Sequence, residues 1–515
     1  MVQLSVPAKD QVVLAEAEAP EFEKVNWSKD PGLRKLYFYA AVLMVASATT
    51  GYDGSLLNTS QQFDQWQDYF DHPDENSLGL MTNLFNIGSI VSFFITPYFC
   101  DLYGRKPPIL AGCLIMILGG FLTAFSHGYA MYCGGRFTLG FGNSLAQMSS
   151  PMLLTEICHP QHRGPVTAVY NCLWNLGNLI CTFIGWGTVH VAGEWSWRSI
   201  TLIQIVPSLI QVTFIWWIPE SPRWLVSKDR DEEALAILAK FHANGDVQNS
   251  TVQFEFREIR ETLKMEEQAK KTSYMDFLRT KGNRWRLAIV ISIGVISQYS
   301  GNAVISNYMN AVYEGAGIHD QNQKLALSSG KTVLDLSCAI AAAFTVDKFG
   351  RRPLFMTAIT GMTLSFTLWT VMAAMYDQKG TMAFGITQIV FVWIFGIFYD
   401  IGFSGLLVAY TLEVLPYHLR AKGMTIMNLT VQAILALGNQ TNLLAWNNLP
   451  AHWNLCLLYT LWDFVELIWV YFIFVETKGP TLEEIAKIFD GDHAVAQISL
   501  QQVEKEVALE QKEKA

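Results

Sequence analysis

The sequence predicts an all-α membrane protein: 12 transmembrane helices in two six-helix pseudo-symmetric bundles, with cytoplasmic N- and C-termini. Three observations predict it. The chain of 515 residues is 51% hydrophobic and only 16% charged, whereas a soluble chain of this size carries about a quarter charged residues. Twelve apolar runs approach the roughly twenty residues that a helix needs to cross a bilayer. A seven-residue loop occurs twice, as Asp101-Leu102-Tyr103-Gly104-Arg105-Lys106-Pro107 and as Asp347-Lys348-Phe349-Gly350-Arg351-Arg352-Pro353. A loop repeated between membrane spans is the mark of a bundle duplicated within one chain.

Residues 1–34 form a polar, acidic tail without the basic start and short apolar core of a cleaved signal, so the first span is expected to direct insertion. The first bundle, 35–218, holds spans at about 35–57, 78–100, 109–128, 131–155, 164–187 and 198–218. Residues 219–284 form a central cytoplasmic loop. Its segments Asp231–His242 and Thr251–Gln268 alternate charged and apolar residues as short surface helices do. The second bundle, 285–475, holds spans at about 286–312, 323–346, 354–375, 385–412, 423–446 and 452–475, and residues 476–515 form a charged cytoplasmic tail. Lys and Arg set the orientation: Arg105, Lys106, Arg163, Lys348, Arg351, Arg352, Arg420 and Lys422 crowd the loops on the side of the termini.

The net charge of −9 is spread over tails and loops and implies no nucleic-acid partner. The eight cysteines show no paired spacing and read as small packing residues; no metal site is expected. Gly330-Lys331-Thr332 resembles the end of a phosphate-binding loop, but Leu325 stands where that loop needs Gly and the stretch lies in a span. No nucleophile–base or metal constellation stands out, so the chain is not expected to be an enzyme. Asn58-Thr59-Ser60 is a glycosylation sequon at the outer end of span 1.

Acid–base residues recur at the inner ends of corresponding spans. Asp101 and Arg105, Glu156 and Arg163, and Glu220 and Arg223 in the first half answer to Asp347 and Arg351, Glu413 and Arg420, and Glu476 in the second. They are expected to form ion pairs, within and across the halves, that latch the cytoplasmic side. Asp53 lies about 18 residues into span 1, roughly 27 Å from its inner end. A carboxylate at that depth needs a partner or a proton. Arg136, about five residues into span 4 from the other side, matches its depth. A nearby Arg favours the ionised acid and a dry site the neutral one, the swing that proton coupling requires.

These residues resemble the sugar porter family of the major facilitator superfamily over about residues 35–490. The resemblance rests on Gly51-Tyr52-Asp53-Gly54, both Asp-x-x-Gly-Arg-Lys/Arg loops, and Gly135-Arg136-Phe137 with Gly140 and Gly142. It rests also on Pro219-Glu220-Ser221-Pro222-Arg223-Trp224-Leu225, Gln298-Tyr299-Ser300-Gly301 and Glu476-Thr477-Lys478-Gly479. Within that family the chain is most like fungal lactose-permease-type and hexose permeases. The resemblance implies import of a mono- or disaccharide by proton symport through alternating access, with Asp53 and Arg136 as the proton-coupling pair. It implies no cofactor beyond the coupling protons, a plasma-membrane location in the lipid bilayer, and a monomer. A facilitative uniporter and an exporter of a small natural product on the same fold are the alternatives.

The expected sugar contacts are amides, which offer donors and acceptors to hydroxyls: Asn171 and Asn175 in span 5, Gln298, Asn302 and Asn307 in span 7 with Tyr308, and Gln432 in span 11. Trp174, Tyr299 and Tyr410 are expected to stack on a sugar ring. The chain departs from the hexose pattern: Asn171 replaces a Gln, Ser297 the first Gln of span 7, Asn307 a Tyr, and Gly405-Leu406-Leu407-Val408 the Pro-x-Pro-Trp of span 10. These mostly shorter side chains suggest a roomier site.

Overall fold

The computed structural model describes residues 27, 30–270, 273–404, 406–478 and 488–489. The expectations for the tails 1–34 and 476–515 fall largely outside the described residues. Among the described residues every regular element is helical. In a bilayer, helices are the way an unclosed chain can satisfy its own backbone groups. The first half holds α1 (Pro31–Ser60), α2 (Glu75–Tyr103), α3 (Lys106–Ala124), α4 (Tyr129–Ile157), α5 (Pro160–Thr188), α6 (Trp195–Ile203) and α7 (Ile205–Phe214). The central segment adds α8 (Asp231–His242) and α9 (Ser250–Lys270). The second half holds α10 (Lys281–Tyr299), α11 (Asn302–Asn307), α12 (Met309–Gly315), α13 (Gln321–Phe349), α14 (Arg351–Lys379), α15 (Met382–Tyr399), α16 (Leu406–Val414), α17 (Tyr417–Asn448) and α18 (Trp453–Ile473).

Among the described residues six stretches are long and apolar enough to cross a membrane by length and composition: Asn76–Tyr103, Lys106–Ala124, Gln321–Ala342, Arg351–Lys379, Met382–Val414 and Trp453–Ile473. Helices such as α4 and α5 are as long but more polar, because they carry Arg136 and the amides Asn171, Asn175 and Asn178. The outward faces are apolar: Phe94, Leu118, Leu364, Leu461 and Phe472 are all more than half exposed. A contiguous exposed apolar surface of this kind suits lipid.

Three runs that the sequence presents as single spans are broken. The run 198–218 divides at Gln204 into α6 and α7. The run 286–312 breaks after Ser300, where Gly301 takes φ +83°, and again at Tyr308. The run 385–412 contains a π-helical turn at Asp400–Ser404. Average hydropathy is blind to such changes of helical register; a positive φ is a local demand that Gly meets without strain.

Glycines set the packing of the first half. A Cβ on Gly140 of α4 would lie 1.9 Å from the Phe85 carbonyl oxygen of α2, and one on Gly88 would lie 2.3 Å from that of Phe137. Gly51 of α1 and Gly177 of α5 likewise face Trp174 O and Ala48 O, each at 1.9 Å. Gly112 and Gly142 repeat the arrangement between α3 and α4, at 2.6 and 2.7 Å from each other's carbonyl oxygens. Lipid offers no hydrophobic drive for helices to associate, so close backbone approach and dispersion carry the contact. The central segment packs separately, around Leu225, Ala234, Leu238, Val252 and Phe256. His242 docks it, with Nδ1 on Glu255 and Nε2 on the Ile157 carbonyl at the end of α4, each at 3.0 Å.

Gly140→Ala is expected to force α2 and α4 apart and to destabilise the protein by at least the ~1–3 kcal/mol of an overpacked site. At Gly134 of the same helix a Cβ meets nothing within 4 Å, so Gly134→Ala should stay within about 0.5 kcal/mol of the parent. Melting of the two variants in detergent, followed by size-exclusion chromatography, checks the contrast; equal melting temperatures would refute it.

Candidate functional site

A cavity of about 580 Å³ lies between the halves. One end is closed by hydrogen bonds from half to half. Asn83 Nδ2 donates to Gln440 Oε1 at 3.2 Å, Trp186 Nε1 to Asn322 Oδ1 at 2.8 Å, and Ser328 Oγ to Gln62 Oε1 at 3.1 Å. Gln61 Nε2 donates to Asn307 O at 3.2 Å, and the Met309 amide to Asn58 Oδ1 at 3.0 Å. Each of these contacts lies at the end of the bundle away from the repeated loops. The cavity runs from there toward the loop end, as far as Ser47, Met148, Phe403 and Val408.

Its wall is amide-rich. Asn171, Asn175 and Asn178 face it from α5, Gln298 from α10, Asn302 and Asn307 from α11, and Gln432 from α17. Gln432 Oε1 has no hydrogen-bond partner in the protein, whereas Asn307 Nδ2 donates to Asn439 Oδ1 at 2.8 Å. Trp174 lines the cavity too and is 42% exposed, which leaves a ring face open to a ligand.

Four expectations need correction. Tyr308 is 1% exposed and absent from the wall; it sits at the break between α11 and α12 with its hydroxyl donated to the Asn439 carbonyl. Tyr299 packs on Tyr459 and Trp462 behind the wall, and Tyr410 is fully buried with its hydroxyl on Val475 O. Asn58 is no surface sequon. It lines the cavity, and its amide oxygen accepts from the Met309 amide at the start of α12.

Asp53 is fully buried in α1, and neither carboxylate oxygen accepts a hydrogen bond. Gly51, two residues earlier in α1, brings that helix against α5. Arg136, 3% exposed, lines the cavity with its guanidinium 4.9 Å from the Phe85 ring centroid. Its charge acts on Asp53, but Nε and Nη1 form no hydrogen bond. The two groups are therefore near enough to interact electrostatically and are not joined by a hydrogen bond.

At the loop end the internal repeat becomes a repeated geometry. Gly104 and Gly350 turn with φ +96° and +85°. Each is followed by an arginine that reaches a glutamate on a neighbouring helix. Arg105 Nε and Nη2 hold Glu156 at 3.1 and 3.2 Å; Arg351 Nε and Nη2 hold Glu413 at 3.2 and 2.9 Å. A second glutamate caps the next helix: Glu220 accepts from the Arg105 and Lys106 amides, Glu476 from those of Arg351 and Arg352. A carboxylate on free amides at a helix start meets both unsatisfied donors and the positive end of the dipole. Asp101 stands 3.9 Å from Arg105. Arg420 donates to Leu415 O at 3.2 Å, Arg223 is half-buried at the start of a short helix, and Arg163 is exposed. The side chain of Asp347 lies outside the described residues. The ion pairs described here run within a half.

Sequence reasoning missed three charged groups on the cavity wall: Lys331 and Asp335 of α13 and Asp400. The signal was present, since an ionisable residue within a span is a functional candidate by default and Lys331 and Asp335 stand four residues apart.

The chain matches the family model described as "Sugar (and other) transporter" over residues 39–489. A high-affinity glucose transporter of Kluyveromyces lactis is 28% identical, over 91% of this chain and 88% of its own length. An MFS-type transporter, criB, of Aspergillus cristatus is 25% identical, over 92% and 97%. Among solved structures, the inward open conformation of the xylose transporter XylE from E. coli superposes with a TM-score of 0.74 at 20% identity, covering 88% of this chain and all of that one. The proton:xylose symporter XylE bound to 6-bromo-6-deoxy-D-glucose gives 0.69 at 21% identity, over 88% and 99%. At such identities the likeness shows the fold, that of the major facilitator superfamily.

The Arg105 and Glu156 side chains are each only 10% exposed and meet through two hydrogen bonds. A double-mutant cycle with Arg105→Gln and Glu156→Gln, read by thermal unfolding, should return a coupling of about 1–3 kcal/mol. Additive single-mutant losses would show that the pair is ornamental to stability.

Proposed function

This chain belongs to the sugar (and other) transporter family, a family of multi-pass membrane transporters and not of enzymes, and from that premise we propose that it imports a mono- or disaccharide by proton symport. The observation that carries the reading is the amide-lined cavity between two halves, closed at one end and extended toward the other, with buried Asp53 beside Arg136. In this reading twelve spans form two six-helix bundles, the termini and residues 219–284 face the cytoplasm, and the protein works as a monomer in the plasma membrane. The closed end then faces outward, and the described conformation is the inward-facing one.

The chemistry follows from the wall. Sugar hydroxyls both donate and accept, and Asn and Gln answer them with both. Trp174 offers an apolar face to a ring. The lack of a hydrogen-bond partner for Asp53 favours the neutral, protonated acid while the site is shut off from water on both sides, and hydration from either side lets the proton leave. When the halves rock and the outer end opens, water reaches α1 and α4. There Asp53 exchanges its proton while Arg136 stabilises the ionised form. Binding of proton and sugar on the outer side, rocking, and release of both inward then complete one cycle. The cavity of about 580 Å³ falls in the roughly 300–1,000 Å³ range of small-molecule sites.

The test is uptake of radiolabelled lactose, cellobiose and glucose into yeast lacking its own sugar permeases. Proton symport predicts that Asp53→Asn and a protonophore each abolish accumulation while the variant still reaches the cell surface. Uptake insensitive to both would make the protein a facilitator. No uptake of any sugar by surface-exposed protein would favour an exporter.

A further inference from the structure

The sugar-transport reading leaves a charged cluster on the opposite wall without a role. Lys331 and Asp335 stand one turn apart on α13, with Nζ 2.6 Å from Oδ2. Asp400 opens the π-helical turn that follows α15. All three line the cavity, and Asp335 and Asp400 are only 9% and 8% exposed. Asp335 and Lys331 are the charges that act on Asp400. Gly396, one turn before Asp400, permits this approach: a Cβ there would lie 3.1 Å from Asp335 Oδ1 and 3.4 Å from Lys331 Nζ. Among the described residues the titratable neighbours are Cys338 of α13, Tyr399 of α15 and Tyr313 of α12. Tyr399 donates its hydroxyl to Ser297 O, and Tyr313 meets Ser328 Oγ at 3.3 Å. None of these neighbours supplies a second cation.

Two carboxylates against one ammonium leave one negative charge in excess. Lys331 satisfies Asp335 Oδ2, but Asp335 Oδ1 and Asp400 Oδ2 accept no hydrogen bond. Unsatisfied carboxylate oxygens that are nine-tenths buried are among the costliest groups a fold can hold. The defect is one charge and a lack of donors, and one bound proton mends both: it neutralises the excess and converts an orphan acceptor into a donor. The π-turn adds to the case, since an extra residue in a helical turn at a buried acid is a feature that clusters at functional sites.

We infer that Lys331, Asp335 and Asp400 form a proton-binding site in the second half, separate from Asp53 and Arg136. The cluster holds one proton while its wall is enclosed and releases it when the cavity hydrates. The consequence for transport rests on the alternating-access reading above: a second proton moves with each cycle. The site itself does not rest on it.

Infrared difference spectroscopy of the full-length protein in liposomes, titrated from acid to alkali, reads protonated carboxyl groups directly. Beside the signal of Asp53, a second protonated-carboxyl band should titrate in the wild type; that band should persist in Asp53→Asn, be lost in Asp400→Asn and return in Asp400→Glu. A band unchanged in both Asp400→Asn and Asp335→Asn would overturn the site. The second arm is sugar accumulation at equilibrium with an imposed pH gradient. Each coupled proton multiplies accumulation about tenfold per pH unit, so Asp400→Asn should lower it about tenfold at one unit while sugar exchange without a gradient continues. Unchanged accumulation would exclude transport of this proton. Wild-type protein that accumulates no sugar would sink the symport reading, and the band would still decide the site. If no such band exists and an aminated sugar loses its binding in Asp400→Asn while its neutral counterpart keeps its own, the cluster recognises a cationic substrate and the proton assignment fails.

Discussion

The close backbone contact at paired glycines is the interaction on which the rest of the first half depends. Helices surrounded by lipid gain little by burying more apolar surface, so their association depends on how near their backbones come. Gly88 with Gly140, Gly51 with Gly177, and Gly112 with Gly142 bring five helices to distances at which a Cβ would overlap a carbonyl oxygen. These contacts also place the ionisable groups. Gly51 lies two residues before Asp53, and Gly135 and Gly140 flank Arg136. The acid and the base are thus set on rigid, closely packed elements instead of loops, as a geometry-sensitive proton site requires.

The repeated loop performs a second task. In each half a glycine turn presents an arginine to one glutamate while a second glutamate caps the next helix, as Glu220 and Glu476 do. Three helix ends are stapled together by charge-assisted hydrogen bonds in half-buried surroundings, where such bonds are worth roughly twice a neutral one. The contacts between the halves are of another kind, neutral amide and hydroxyl hydrogen bonds such as Asn83 to Gln440 and Trp186 to Asn322. Among the described contacts the strong bonds lie within the halves and the weaker ones between them, a distribution suited to the rocking that the proposed cycle requires.

Much of this was legible in the sequence because it rests on local chemistry: the glycine turns, the repeated acid–base pairs, and the amides at helical spacing along spans 5 and 7. What was illegible depends on register and on long-range packing. The break at Gly301 rotates the following turn, so that Asn302 and Asn307 face the cavity while Tyr308 turns to Asn439. Tyr299 and Tyr410 have the chemistry of sugar platforms, but aromatic neighbours cover them. Asn58 reads as a sequon, and only contact with the other half shows it to be internal. Lys331, Asp335 and Asp400 were obscured by averaging, since a span of high mean hydropathy absorbs one or two charges without changing class.

The amide-rich wall itself gives the proposed cycle its coupling. On that wall Gln432 Oε1 already lacks a partner in the protein. In an open cavity water satisfies such groups; in a closed one it cannot stay in bulk. Each buried polar group left without a partner costs about 1–3 kcal/mol, so an empty closed cavity with several stranded amides is disfavoured. A sugar supplies donors and acceptors to the same groups and removes that cost. The unpaired carboxylates obey the same rule with a proton in place of a sugar: ionised they resist closure, neutral they permit it. Closure is then favoured only when the cavity is filled and its acids are neutral. Substrate and proton would be coupled through a shared requirement of the closed state, with no direct contact needed between them.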